Sequence, residues 1–265
     1  MAANIQDTVI LFGDSLTEGS WTHNGIGARL TNRYSRKWDV LNRGLSGYNT
    51  EWALPVLRQF LAKVPAQPLV PQVRLLVIWF GANDAVLPHS PQHVTIARFG
   101  ENLRTMVRLV ASPTSSHYAP DTKIVLITPP PVNTVQRGAN LAGREPPLEL
   151  DRTFERTREF AEEVGRVGQS EGVPVVDVWT PMWEAAGKEE KALEGYLYDG
   201  LHLNEAGYKI VWEALLATIR KNFAELDKDG MEYIFPHWSY FLDHSLDEFK
   251  ATQWVCGGGA AAADA

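Results

Sequence analysis

Short runs of apolar, β-branched residues alternate along this chain with longer amphipathic stretches. Thr8–Phe12, Asp39–Leu41, Val73–Phe80, Lys123–Thr128 and Val173–Val178 read as strands. Helices are predicted over Ile26–Arg36, Glu51–Val64, His93–Val110, Leu148–Gly168 and Asn204–Phe223. Within His93–Val110, the residues Ile96, Phe99, Leu103, Val107 and Val110 recur at helical spacing. Asn204 stands at a capping position, and Pro129-Pro130-Pro131 stops the fourth strand. Five strands interleaved with helices imply a parallel sheet covered on both faces. Continuously apolar strands, as opposed to alternating ones, fit burial on both sides. The expected fold class is α/β, a three-layer α/β/α sandwich with a five-stranded parallel sheet. Such sheets bind ligands beyond the carboxyl ends of their strands, which directs attention to the residues just after Phe12, Leu41, Phe80, Thr128 and Val178.

Three stretches fall outside the pattern. Val132–Pro147 reads as a long connection rich in Gly, Pro and Asn. Residues 227–256 follow the last core helix and are dense in aromatics (Tyr233, Phe235, Trp238, Tyr240, Phe241, Phe249, Trp254). Residues 257–265 are low in complexity and read as a disordered tail. One domain is therefore expected over 1–226, with an aromatic extension over 227–256. That extension would pack on the domain, cover the mouth of its site, or meet a second copy of the chain in a homodimer.

Composition narrows the function classes. The net charge of −7 and the scattered basic residues speak against nucleic acid or an anionic membrane as partner. The longest apolar run, Leu75–Phe80, is far shorter than the ~20 residues of a membrane span. No basic n-region or apolar h-region opens the chain. A single cysteine, Cys256, excludes an internal disulfide framework. A soluble, cytoplasmic protein is the expectation.

Four short motifs sit where the sheet predicts a site. Gly13-Asp14-Ser15-Leu16 places a serine at a strand-to-helix turn, where a helix N-terminus supplies backbone N–H groups; alone it also reads as a serine cap. Gly47 in Asn42–Tyr48 could offer an unobstructed backbone N–H to an oxyanion, or simply turn the chain. In Gly81-Ala82-Asn83-Asp84 the Asn83 amide is a two-proton donor, or closes an Asx-turn. Asp199-Gly200-Leu201-His202 spaces a carboxylate three residues from an imidazole. The carboxylate can fix one tautomer and leave the other nitrogen to take a serine proton; without Ser15 a surface turn would be the better reading. Nucleophile, oxyanion donors and an Asp–His pair together change that balance.

On these four blocks the chain resembles the SGNH hydrolases of the GDSL esterase/lipase family, from about Thr8 to Phe223. Within it, Ile127-Thr128-Pro129-Pro130-Pro131 and Gly19-Ser20-Trp21 are most similar to the isoamyl acetate-hydrolysing esterase group. The resemblance implies a flavodoxin-like α/β/α sandwich with Ser15 as nucleophile, His202 as base and Asp199 orienting His202. It also implies an oxyanion hole of the Ser15 and Gly47 N–H groups with the Asn83 side chain, and no metal or cofactor. Trp21 and Phe80 lie near the blocks and are candidate walls of a substrate pocket, or else plain core.

Other constellations fail. His89 and His93 have helical metal spacing, but Pro91 lies between them and no H-E-x-x-H is present. Asp227-Lys228-Asp229-Gly230 hints at a calcium loop, yet Trp238 stands where the closing Glu is required. No P-loop or dinucleotide turn appears. The function expected is hydrolysis of small carboxylic esters, short-chain acetate esters first, with activity falling on the acid side as the base is protonated. A carbohydrate deacetylase, a lysophospholipase or an acyltransferase would use the same parts. A non-catalytic binding protein would be expected to lack one of Ser15, Gly47, Asn83, Asp199 and His202.

Overall fold

A computed structural model describes residues 6–227, 231–255 and 258–262. Its strands are β1 (Thr8–Gly13), β2 (Asp39–Gly44), β3 (Val73–Trp79), β4 (Lys123–Ile127) and β5 (Val175–Val176). They form one all-parallel sheet in the order β2-β1-β3-β4-β5, the flavodoxin-like arrangement whose switch point lies between β1 and β3. The helices of this unit are α1 (Ser15–Glu18), α2 (Ile26–Arg33), α3 (Thr50–Phe60), α4 (Ile96–Ala111), α5 (Thr134–Ala142), α6 (Phe154–Glu171), α7 (Trp179–Ala185) and α8 (Glu205–Asn222).

Successive strand residues point to opposite faces, and each face builds its own core. Val9, Leu11, Leu75, Val77, Trp79, Val125 and Ile127 pack with Leu30 of α2, Met182 of α7 and Val211, Leu215 and Ile219 of α8. Ile10, Phe12, Leu76, Ile78, Ile124 and Leu126 pack with Leu57 of α3, Phe99, Leu103 and Met106 of α4 and Phe160, Val164 and Val167 of α6. The expected three layers result. The edge strands are weaker for physical reasons. Asp39 and Arg43 expose one side of β2, and β5 pairs through two residues only, since Pro174 before it has no N–H to donate.

Local chemistry sets the helix starts. Asn49, Thr95, Thr153 and Asn204 each cap a helix by accepting a backbone N–H with the side chain. For α6 this moves the start from the predicted Leu148 to Phe154. Within the domain, α5 and α7 were not predicted. α5 lies inside the stretch read as a plain connection. It carries no apolar stripe (Val135 is exposed) and is held by the Asn133 cap and by Arg137 and Leu141 turned inward. α7 is short and has no side-chain cap.

Phe80, nominated as a pocket wall, is a core residue: it is 1% exposed and meets Phe12 edge-on at 4.9 Å. Phe12 in turn meets Phe60 at 5.2 Å. β3 runs straight into this apolar cluster before Gly81 turns the chain.

After α8 the chain returns along the end of α2. Tyr34 donates to the Leu226 carbonyl at 3.0 Å, Arg36 donates to the carbonyls of Phe235 and Pro236, and its guanidinium lies 4.2 Å from the Tyr233 ring centre. Two short helices, α9 (Tyr240–Asp243) and α10 (Leu246–Ala251), leave Trp238, Phe241, Leu242 and Leu246 exposed. Strands β6 (Thr252–Val255), in the aromatic extension, and β7 (Gly258–Ala262), in the stretch expected to be a disordered tail, form an antiparallel pair. Residue 257 and residues 263–265 of that tail, like the Lys228–Gly230 stretch, lie outside the described residues. Among the described residues no helix is long and apolar enough to cross a membrane.

Phe80→Ala is expected to cost about 3–5 kcal/mol of stability through the cavity it leaves, read as a lower urea midpoint. An unchanged midpoint would show that the ring is not part of the core.

Candidate active site

Ser15, Asn83 and His202 come from three places that the sheet brings to one rim. β1 ends in Gly13, and its neighbour β3 ends at Trp79 in register with it. Asp14 caps α1 by accepting Leu16 N–H at 2.9 Å, so Ser15 is the first residue of the helix and its hydroxyl stands over the strand end. His202 arrives from the far end of the sequence. A bridge between Leu197 and Leu203 closes the loop that carries it. Tyr208 on α8 donates its hydroxyl to the Leu16 carbonyl at 2.7 Å, locking α8 to the helix of Ser15.

The result is a continuous line of hydrogen bonds. Ser15 Oγ lies 2.9 Å from His202 Nε2, and His202 Nδ1 lies 2.8 Å from Asp199 Oδ2. The second carboxylate oxygen, Asp199 Oδ1, accepts the backbone N–H groups of Leu201 at 3.0 Å and His202 at 2.8 Å. Burial works against the charge on Asp199, but the hydrogen bonds from the His202 ring and backbone outweigh it and hold the carboxyl well below the usual carboxylate range. An ionised Asp199 requires the proton on Nδ1, which leaves the Nε2 lone pair facing the Ser15 hydroxyl. Tyr198 stacks on the imidazole at 5.6 Å with the planes 17° apart.

Gly200 makes the tight loop feasible. Its φ is +86°, and a Cβ there would run into the backbone of Asn133 and Arg137 at the start of α5. That close approach, with Asn133 N–H donating to the Gly200 carbonyl at 2.9 Å, brings Arg137 Nη1 to 3.4 Å from Asp199 Oδ2.

On the other side of Ser15 lie N–H groups with and without acceptors. Leu45, Ser46 and Tyr48 give their N–H groups to the Gly13 carbonyl, Glu18 Oε2 and the Leu45 carbonyl. Gly47, at φ +80°, has no acceptor for its N–H among the described residues. Its carbonyl is tied down by Gln92 Nε2 at 2.6 Å. The Ser15 N–H, in the first turn of α1, is likewise unused by the described residues. Asn83 gives one Nδ2 proton to the Tyr48 carbonyl at 2.9 Å, which keeps one proton spare beside the Gly47–Tyr48 peptide. Its Oδ1 accepts from Arg152 Nη2 at 3.0 Å. Trp21, the remaining nominee, packs its ring over Gly27 of α2 and is 39% exposed.

Beneath these groups lie two buried carboxyls. Burial pushes Asp14 up to about 7, with Asp84 adding to the rise and Leu16 N–H and Arg152 opposing it. Burial pushes Asp84 up to about 6 against the hydrogen bonds it accepts from Thr50. Sequence reasoning missed Arg137, Arg152, Gln92 and Tyr208. None lies in a motif block, and each acts on a residue more than forty positions away.

Between about pH 4 and about 7 the folded state keeps a proton on Asp14 that the unfolded chain has lost. Stability therefore falls as pH rises through that window, and Asp84 adds the same sign up to about 6. Asp199, held ionised, acts only in more acid solution. Thermal unfolding is expected at a lower temperature at pH 8 than at pH 5. Asp14→Asn, which keeps an acceptor for Leu16 N–H, should narrow the gap; an equally wide gap would remove Asp14 from this balance.

The chain is similar to known proteins in sequence and in fold. Residues 11–210 match the model of the GDSL-like lipase/acylhydrolase family. The isoamyl acetate-hydrolyzing esterase 1 homolog of Mus musculus is 35% identical over 95% of this chain and 92% of its own. The isoamyl acetate-hydrolyzing esterase of Saccharomyces cerevisiae is 31% identical over 88% of this chain and 94% of its own. Among solved structures, a lipase/acylhydrolase from Enterococcus faecalis superposes with a TM-score of 0.55 at 26% identity, covering 86% of this chain and 98% of the other. Five parallel strands in flavodoxin-like order and esterase-named relatives along nearly the whole length make this a carboxylic-ester hydrolase, and the chain belongs to the GDSL-like lipase/acylhydrolase family.

Proposed function

We propose that the protein hydrolyses small carboxylic esters, short-chain acetate esters above all, through an acyl-enzyme on Ser15. The observation that carries this reading is the unbroken Ser15–His202–Asp199 line. Ser15 Oγ attacks the ester carbonyl while His202 Nε2 takes its proton. The tetrahedral oxyanion sits against the spare N–H groups of Ser15, Gly47 and Asn83. As the intermediate collapses, His202 returns the proton to the departing alkoxide, leaving the acyl group on Ser15. Water then repeats the sequence, giving its proton to His202 and releasing the acid. The acetate preference is supported by the mouse and yeast relatives, whose names specify isoamyl acetate.

Hydrolysis of p-nitrophenyl esters from acetate to palmitate should be fastest on the shortest chains and vanish in Ser15→Ala. A long-chain optimum would make the protein a lipase or lysophospholipase. No hydrolysis by the folded parent would turn the reading to a sugar deacetylase. Asn83→Ala should lower kcat by about 10²–10³-fold with the fold intact by circular dichroism; equal turnover would remove Asn83 from the oxyanion hole.

A further inference from the structure

Asn83 is useful as an oxyanion donor only in one of its two amide orientations. Rotated by 180°, it would present Oδ1 to a negative charge. The Tyr48 carbonyl favours the productive orientation from one side, and the other side is set by a buried cation. Arg152 is 2% exposed. Its Nε donates to the Ala82 carbonyl at 2.8 Å and its Nη2 to Asn83 Oδ1 at 3.0 Å. A guanidinium has donors only, so it accepts no contact with the NH₂ end of the amide. A flipped Asn83 would set N–H against N–H at Arg152 and oxygen against oxygen at Tyr48.

Arg152 is itself clamped. Its Nη1 donates to Asp151 Oδ2, the same oxygen that accepts Arg137 Nη2 at 3.3 Å. Arg137 Nη1 reaches Asp199 Oδ2 at 3.4 Å. The Asp151 backbone carbonyl accepts Leu87 N–H at 2.8 Å, tying this segment to the loop that follows Asn83. One connected set of charge-assisted contacts thus runs from His202 through Asp199, Arg137, Asp151 and Arg152 to Asn83.

We propose that Arg152, clamped by Asp151, is a positioning residue that fixes the Asn83 amide with its Nδ2 proton toward the oxyanion. The charge has a second effect. Drawing density from Oδ1 polarises the amide and strengthens its N–H as a donor, as linked hydrogen bonds do in a dry interior. Arg152 touches no reacting atom and acts through Asn83 alone. The proposal rests on the serine-esterase reading above.

The test is a double-mutant cycle with p-nitrophenyl acetate. Arg152→Met should lower kcat and kcat/KM together by about tenfold to a hundredfold, with KM within about twofold, as for loss of an interaction made in the transition state. In the Asn83→Ala background the same substitution should add less than about twofold. Arg152→Lys, which restores the charge but not the two-pronged hold, should recover part of the loss. Should Arg152→Met not fold, Arg152→Lys carries the same cycle, because it keeps the buried charge and removes only the two-pronged hold on Ala82 and Asn83. Its loss in kcat should be smaller and should again disappear in the Asn83→Ala background. Full additivity with Asn83→Ala, a loss confined to KM, or unchanged turnover would overturn the proposal. Ser15→Ala in the same assay separates the two readings. Hydrolysis that survives it refutes the esterase mechanism, whereas Ser15-dependent hydrolysis with an additive cycle refutes only the role of Arg152.

Discussion

The hydrogen bond between the Ser15 hydroxyl and His202, 187 positions apart in the chain, is the contact on which the proposed acyl transfer depends. The rest of the architecture answers that constraint. Parallel strands send all their carboxyl ends to one rim, so β1 and β3, neighbours at the centre of the sheet, deliver Ser15 and Asn83 side by side. His202, the base of the proposed mechanism, does not come from a strand end in the same way. It comes from a loop closed by the Leu197–Leu203 bridge and aligned by α8, whose Tyr208 is bonded to the carbonyl of Leu16. The hydrophobic layers fix the distances between elements, and a few polar contacts fix the last ångström.

Those polar contacts carry an electrostatic cost that the site balances internally. Arg137 and Arg152 are buried among four carboxyls, Asp14, Asp84, Asp151 and Asp199. Asp199 is held ionised by its hydrogen bonds to His202, and Asp151 by the two guanidinium groups that flank it despite burial. Asp14 and Asp84, lacking such partners on one oxygen each, are pushed toward the protonated form. In mildly acid solution the two cations therefore face two anions. A buried cluster of this kind is weak evidence for stability; its value lies in direction, since charges and amides that can pair in only one way hold one geometry.

What could be read from the sequence follows from how local each signal is. The central strands were visible because Leu75–Trp79 and Ile124–Ile127 are buried on both faces and so apolar without interruption. The motif blocks were visible because Asp14 caps its own helix and Asp199 meets a histidine three residues on. Helix α5 was hidden because one of its two turned-in residues, Arg137, is an arginine where an apolar side chain would be expected, and Gly138 and Asn140 disguise it as a loop. Phe80 followed the third strand closely enough to suggest the pocket, but one residue decides the matter: the chain turns at Gly81, after the ring has entered the core. Arg152 was invisible because its meaning lies in Asn83, 69 positions earlier, and nothing in its own neighbourhood announces it.

The separation of Ser15 from His202 also orders events in time. In the order of synthesis the serine and the groups around Asn83 precede the base of the proposed mechanism, with the rest of the sheet between them. On that mechanism, until residues 199–208 have emerged and α8 has docked on Leu16, the nascent chain holds a serine hydroxyl as unreactive as any other. On the proposed mechanism, acyl transfer to Ser15 therefore waits for the loop of His202, which follows all five strands of the sheet in the chain, and a chain in which that loop is undocked is expected to be silent toward esters.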